Sequence, residues 1–290
     1  MKKVKVFDVV DILVMMLLAA LTVIPFIVIV SKAISDPAQV TAGNVKLFPK
    51  GLQFGTIQYV LGSVEVSRAF LISVFVTFVG TAIALLLNII TAYPLSKPEL
   101  RGRKPILYLF VFTMLFNGGM IPNYLLYRSL HLINTVWALI VGSVLLVARM
   151  FVIKNYFERL PEAVEEAARI DGANWTNTLF RVVVPMSKPV LATITLFYAV
   201  GYWNSYFAGV MYISKPELRT LQHFLYEVIQ LSKKLEKGGL DVTEAERIAS
   251  MSSECITAAT IVISTVPILI VYPLLQKHFV KGITIGSVKG

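Results

Sequence analysis

Long apolar runs separated by short polar connectors set the pattern of this chain. Six runs hold no Asp, Glu, Lys, Arg or His: Ile12–Ser31, Ala69–Tyr93, Pro105–Tyr127, Leu132–Ala148, Pro189–Ser214 and Cys255–Gln276. A bilayer core of about 30 Å is crossed by about 20 apolar residues in a helix. Each run is therefore expected to be one transmembrane helix. The expected fold is all-α, a polytopic membrane protein with six spans in a single domain over residues 1–290. The first run is longer than a typical signal core and is expected to be retained. The fourth, the shortest, continues as "RMFVI", where Arg149 is expected to snorkel to the interface. The third contains "FNGGMIPNY", a poor continuous helix. It reads either as a close-packed kink or as a break lining a cavity.

One interior segment departs from this pattern. "PEAVEEAARIDGANWTNTLFRVVVP", Pro161–Pro185, carries four acidic and two basic residues. Pro161 suits a first helical turn, with Glu162, Glu165 and Glu166 near the positive end of the helix dipole. Gly172 fits the left-handed residue that closes a helix. A second helix is expected from about Ala173 to Val184, stopping before Pro185. Its Trp175, Leu179, Val182 and Val183 follow the spacing of one helix face. The segment is too short and polar to span. A helix lying on lipid would favour Lys and Arg, and this one is net acidic. A helix pair that docks into a groove of another protein fits better.

Composition strengthens the membrane reading. The chain is 56% hydrophobic and 15% charged, against about 25% charged in soluble domains. With both termini inside, the inner segments hold sixteen Lys and Arg and the outer ones eleven, the bias expected of a cytoplasmic face. That bias accounts for the net charge of +10 without a nucleic-acid partner. The single cysteine, Cys255, excludes an internal disulfide and a CxxC motif, and is read as a small buried residue. His131, His223 and His278 have no metal-ligand spacing, and "GITIGSVKG" lacks the spacing of a P-loop. No nucleophile–base set is evident, so no catalytic residue and no metal ligand are assigned.

"YAVGYWNSYFAG" in the fifth run is the strongest substrate candidate. Tyr202, Trp203, Asn204 and Tyr206 combine flat aromatic faces with an amide, the mixture a sugar pocket uses. An interfacial aromatic belt would use the same residues. On one continuous helix, Tyr202 and Tyr206 would share a face. Asn117, Asn123 and Asn88 are polar groups at membrane depth. Each suits helix–helix hydrogen bonding as well as substrate contact.

The segment "EAARIDGANWTNTLFRVVVP" resembles the inner-loop signature of permease subunits of binding-protein-dependent ABC importers. Glu166, Ala167, Ala168, Gly172, Val182, Val184 and Pro185 occupy the signature positions; valines stand where Ile and Leu are usual. "WNSYF" and the tail "KGITIGSVKG" resemble the carbohydrate-uptake branch, particularly maltose-permease-like subunits with six spans. The resemblance implies a type I importer permease fold in the bacterial cytoplasmic membrane, with both termini cytoplasmic. It implies that segment 161–185 is the coupling helix, with Glu165, Glu166, Ala167, Ala168, Asp171, Gly172 and Pro185 at the ATPase contact and Gly282–Gly290 a second contact. It implies a second homologous permease, two ATP-binding subunits and an external solute-binding protein as partners, with membrane lipid around the chain. ATP and Mg would be bound by the ATPase subunits, with no cofactor in this chain. The implied cargo is a sugar, most readily an oligosaccharide. An autonomous secondary transporter, an importer for a non-sugar solute and a membrane scaffold are the alternatives. The first would call for an ion-coupling acid in a span, and the six runs hold none.

Overall fold

A computed structural model describes residues 6–236 and 253–287. Among them there is no strand. The helices are α1 (Val6–Ala33), α2 (Pro37–Thr41), α3 (Gly55–Gly62), α4 (Val64–Ser96), α5 (Arg103–Leu115), α6 (Met120–Ser129), α7 (Trp137–Ile140), α8 (Val147–Phe157), α9 (Glu162–Ile170), α10 (Trp175–Thr178), α11 (Val184–Met186), α12 (Lys188–Trp203), α13 (Phe207–Tyr212), α14 (Leu221–Glu236) and α15 (Ser253–Ser287). Three helices are long and apolar enough to cross a membrane alone: α1, α4 and the Ser253–Ile270 part of α15. Counting each of three bent pairs as one span brings the total to six: α5 with α6 at 113°, Trp137–Ser143 with α8 at 50°, and Trp175–Met186 with α12 at 85°.

The backbone divides into two compact units, Met1–Ser67 with Phe224–Pro267, and Arg68–His223 with Ile268–Gly290. In the first, α1 buries almost none of its span within the chain, as expected where lipid or another protein is the solvent. The chain after it is tied back by hydrogen bonds between side chains and backbone. Ser31 Oγ donates to Leu47 O at 2.8 Å, and Asp36 caps α2 by accepting from Ala38 N at 2.9 Å. Cys255 is buried with Val40 and Val45, which agrees with a packing role.

The second unit holds the larger core. Val76, Ala84, Ile89 and Ala92 of α4 pack with Met150 and Ile153 of α8 and with Ile194 and Tyr198 of α12. Three boundaries differ from the pattern reading. The third run breaks fully at Phe116–Gly119, where Gly119 takes φ 89° and Asn117 Oδ1 accepts from its N–H at 2.9 Å. The fourth span extends further along the chain: α8 continues to Phe157 because Met150, Ile153 and Phe157 are buried and Lys154 pairs with Glu158 at 2.7 Å. Arg149 therefore sits in the first turn of α8, eight residues before its last residue, Phe157. The fifth run is two helices, since α12 stops at Trp203 and α13 starts at Phe207. Asn and Ser side chains compete for backbone partners and favour helix ends. Asn204 and Ser205 fall at this break, so Tyr202 and Tyr206 do not lie on one helix face.

Candidate functional site

The polar hairpin is built as the sequence suggests, with one displacement of role. α9 begins after Pro161 with Glu162 and Glu165 in its first turn and ends with Arg169 in its last. At its C-terminus Ala173 N donates to Ala168 O at 2.9 Å, and Gly172 N donates to Arg169 O at 3.0 Å. This is the Schellman pair of bonds, which places the residue after the cap in the left-handed region. Gly172 occupies that position with φ 83°. Asn174 then caps α10, its Oδ1 accepting from Asn177 N at 2.8 Å. Arg169 lies over the Trp175 ring at 4.7 Å and joins the two limbs.

The second limb runs through Pro185 rather than stopping before it. Leu179–Val183 is π-helical and is followed by one α turn, Val184–Met186. Proline has no N–H to offer the carbonyl four residues back. A π segment widens the turn where the ordinary ladder fails. Ser187 N then bonds both Val183 O and Val184 O before the chain turns into α12.

Glu165 is the residue that anchors the hairpin. Its residue exposure is 4%. Oε1 receives Lys97 Nζ at 2.6 Å and Oε2 receives the Tyr93 hydroxyl at 3.0 Å. Tyr93 also meets Phe157 and Trp175 edge-on, at 6.2 and 6.3 Å between ring centroids. The end of α4 thus grips both limbs. Nearby, the Glu158 carboxylate receives Arg103 and Lys154, and Arg103 Nε donates to Leu95 O at 2.8 Å. Glu166, Ala167, Asp171 and Pro185 are exposed and Ala168 is half-buried. Ile170, at the hairpin tip, is 86% exposed. The sequence places Glu165 in the first helical turn, and the resemblance places it at the ATPase contact. Its anchoring role was missed because the partner, Lys97, is far away in the chain. The tail segment Gly282–Gly290 lies outside the residues whose side chains are described.

A cost can be attached to Gly172. Nothing lies within 4 Å of a Cβ built there, so a substitution meets only the left-handed penalty of roughly 1–2 kcal/mol. Gly172→Val should reduce transport, and Gly172→Asn, which tolerates that region, should not. Equal uptake by the two variants at equal membrane levels would remove the turn from the coupling role.

The aromatic candidates separate into buried and exposed residues. Tyr202 is 4% exposed. Its hydroxyl donates to Ile140 O at 3.0 Å, and its ring fills the space over Gly80, where a Cβ would come within 2.8 Å. Trp203 is buried and meets Phe70 edge-on at 5.9 Å. Asn204 and Tyr206 are exposed at the break, and Asn117 is exposed in the break between α5 and α6. Behind these, Asn88 of α4 is fully buried. Its Nδ2 lies 2.6 Å from Ala84 O, 3.1 Å from Val144 O and 2.8 Å from the Tyr198 hydroxyl. That hydroxyl also accepts from Leu146 N at 3.0 Å. Asn88 is thus a hub joining α4, the approach to α8, and α12.

No family model matches the chain. Protein LplC of Bacillus subtilis (strain 168) is 41% identical over 286 residues, covering 99% of this chain and 96% of LplC. The polygalacturonan/rhamnogalacturonan transport system permease protein YtcP of the same organism is 37% identical, covering 95% of this chain and 96% of YtcP. Among solved structures, a bacterial ABC transporter involved in the import of the acidic polysaccharide alginate matches with a TM-score of 0.87 and 34% identity. It covers 96% of this chain and 98% of that one. With six apolar spans, an anchored polar hairpin and these full-length likenesses, the chain belongs to the carbohydrate-uptake permease subunits of ABC importers.

Proposed function

We propose that this chain forms one half of the pathway for an oligosaccharide delivered by an external binding protein, and that Pro161–Pro185 seats in an ATP-binding subunit. The observation that carries the reading is the two-sidedness of the hairpin. One side is fixed to α4 through Glu165, Lys97 and Tyr93. Elsewhere the hairpin presents Val164 and Ile170, which no described residue covers fully. A push on the exposed side reaches α4 through a charge-assisted contact. The saccharide assignment is supported by the polysaccharides in the names of YtcP and of the alginate transporter. In this reading a second permease completes the pathway, two ATP-binding subunits hold Mg-ATP and perform the hydrolysis, and this chain hydrolyses none. The termini and the hairpin face the cytoplasm of a bacterial cell.

The test is purification of the tagged chain with its genomic neighbours. ATPase subunits should co-purify, and reconstituted complexes should accumulate oligosaccharide only with ATP and the binding protein. In a background lacking Cys255, a cysteine at exposed Phe48 should react with an impermeant thiol reagent in intact cells. One at exposed Glu99 should react only after the membrane is opened. Uptake without any ATPase partner, or labelling of the Glu99 position from outside, would overturn the reading.

A further inference from the structure

Among the described residues, Arg149 stands inside a bent apolar span without a counter-charge. Ion pairs among the described residues include Lys32–Glu254, Lys97–Glu165, Arg103–Glu158 and Lys154–Glu158, and Arg149 enters none of these. Its guanidinium lies over the Tyr198 ring at 4.2 Å and remains half-exposed. The depth of this site follows from helix rise. Arg149 precedes the Glu158 charge cluster by nine residues along α8, about 13 Å at 1.5 Å per residue. Tyr198 stands ten residues into α12 from Lys188, about 15 Å. Half of a hydrocarbon core is also about 15 Å. An arginine near the midplane faces an aqueous pathway or a partner charge, because exposure to lipid there is costly.

We propose that Arg149 is the contact for a carboxylate on the passing sugar, and therefore that the cargo is an acidic, uronate-bearing oligosaccharide. This rests on the transport reading above and adds the charge of the substrate to it. A planar guanidinium matches a carboxylate in bidentate fashion. The Tyr198 ring behind it holds the guanidinium plane in place, while the Tyr198 hydroxyl is kept by Leu146 N and Asn88. Because no acid in the apolar runs competes for it, the positive charge is available to a ligand in transit.

The neighbouring residue Gly201 makes a sharp test. A Cβ built there lies 3.5 Å from one Arg149 terminal nitrogen. Gly201→Asp would supply an internal carboxylate, and Gly201→Asn the same shape without charge. The complete reconstituted importer is given trigalacturonate, with loaded binding protein at saturation. Uptake should fall by roughly tenfold or more in Arg149→Gln and in Gly201→Asp, as for a lost charge-assisted hydrogen bond. It should remain near wild type in Gly201→Asn and be partly restored in Arg149→Lys. ATP hydrolysis without sugar should be unchanged in all four.

If Arg149 instead pairs with a carboxylate of the partner permease or a lipid phosphate, Arg149→Gln lowers complex yield or melting temperature. Transport per assembled complex is then unaltered, and the proposal falls. Should Arg149→Gln fail to assemble, the Asp–Asn contrast at Gly201 decides: equal uptake by the two overturns the assignment. ATP-driven uptake of a neutral oligosaccharide, indifferent to Arg149→Gln, would also reject it while leaving the transport reading intact. Absence of any ATP-driven sugar uptake would sink the transport reading itself.

Discussion

Glu165→Ala is expected to abolish coupled uptake while the chain still inserts and pairs with its partners. The substitution strands Lys97 in a largely enclosed site, its side chain 17% exposed, and releases the Tyr93 hydroxyl. Removing one member of a buried ion pair costs about 3–5 kcal/mol, and the partial exposure of Lys97 places this case near about 3 kcal/mol. That energy is local, so its main effect is to free α9 from α4. ATP hydrolysis should then run without sugar uptake. The companion experiment removes both charges. Lys97→Met with Glu165→Leu replaces the pair by apolar bulk, a change that is often neutral for stability. The double variant should keep more uptake than Glu165→Ala alone. If Glu165→Ala transports normally, the anchor does not carry the motion. If the double variant is the worse of the two, the pair acts through its charge rather than as a fixed joint.

The second large effect is expected at Asn88. Asn88→Ala removes the side-chain donor to Val144 O and to the Tyr198 hydroxyl and leaves a void in the centre of the larger unit. Interhelical hydrogen bonds in membranes contribute about 0.6 kcal/mol on average and up to about 1.7. The void adds to this, giving about 2–3 kcal/mol in all. The expected result is a lower melting temperature of the detergent-solubilised complex and reduced yield, with ATP hydrolysis normal in the complexes that survive. Tyr198→Phe should be milder, because Asn88 keeps its other two partners. A wild-type melting temperature for Asn88→Ala would show that the hub is dispensable.

What could be read in the sequence depended on whether the determining interaction was local. Gly172 was legible because a helix that closes with a left-handed residue needs one that tolerates positive φ, and the helix before it is announced by its acids. The spans were legible because hydropathy is a property of each run. That Arg149 falls within a helix reaching Phe157 was not legible, for a reason of distance. Its helix continues because Met150, Ile153 and Phe157 find partners in the core and Lys154 finds Glu158. The first three partners are invisible to a sliding window. Tyr202 looked like a ligand-facing aromatic, yet its environment is set by Gly80 and Ile140, which lie on other helices. The functional weight of Glu166, Ala167, Ala168, Asp171 and Pro185 rests on resemblance, since each is defined by what would dock on it.

The π-helical stretch before Pro185 gives the spacing of the hairpin a meaning beyond length. An α-helix turns through about 100° per residue, so inserting or deleting one residue rotates everything beyond it by that angle. Leu179–Val183 absorbs such an offset within one wide turn. The interval from Gly172 to Pro185 is therefore a phase relation. It fixes the direction in which the Ile170 tip points when Ser187 hands the chain to α12. The same residues wound as a regular α-helix, without that wide turn, would keep their hydropathy and charges and would aim the contact face at the wrong side of whatever it meets.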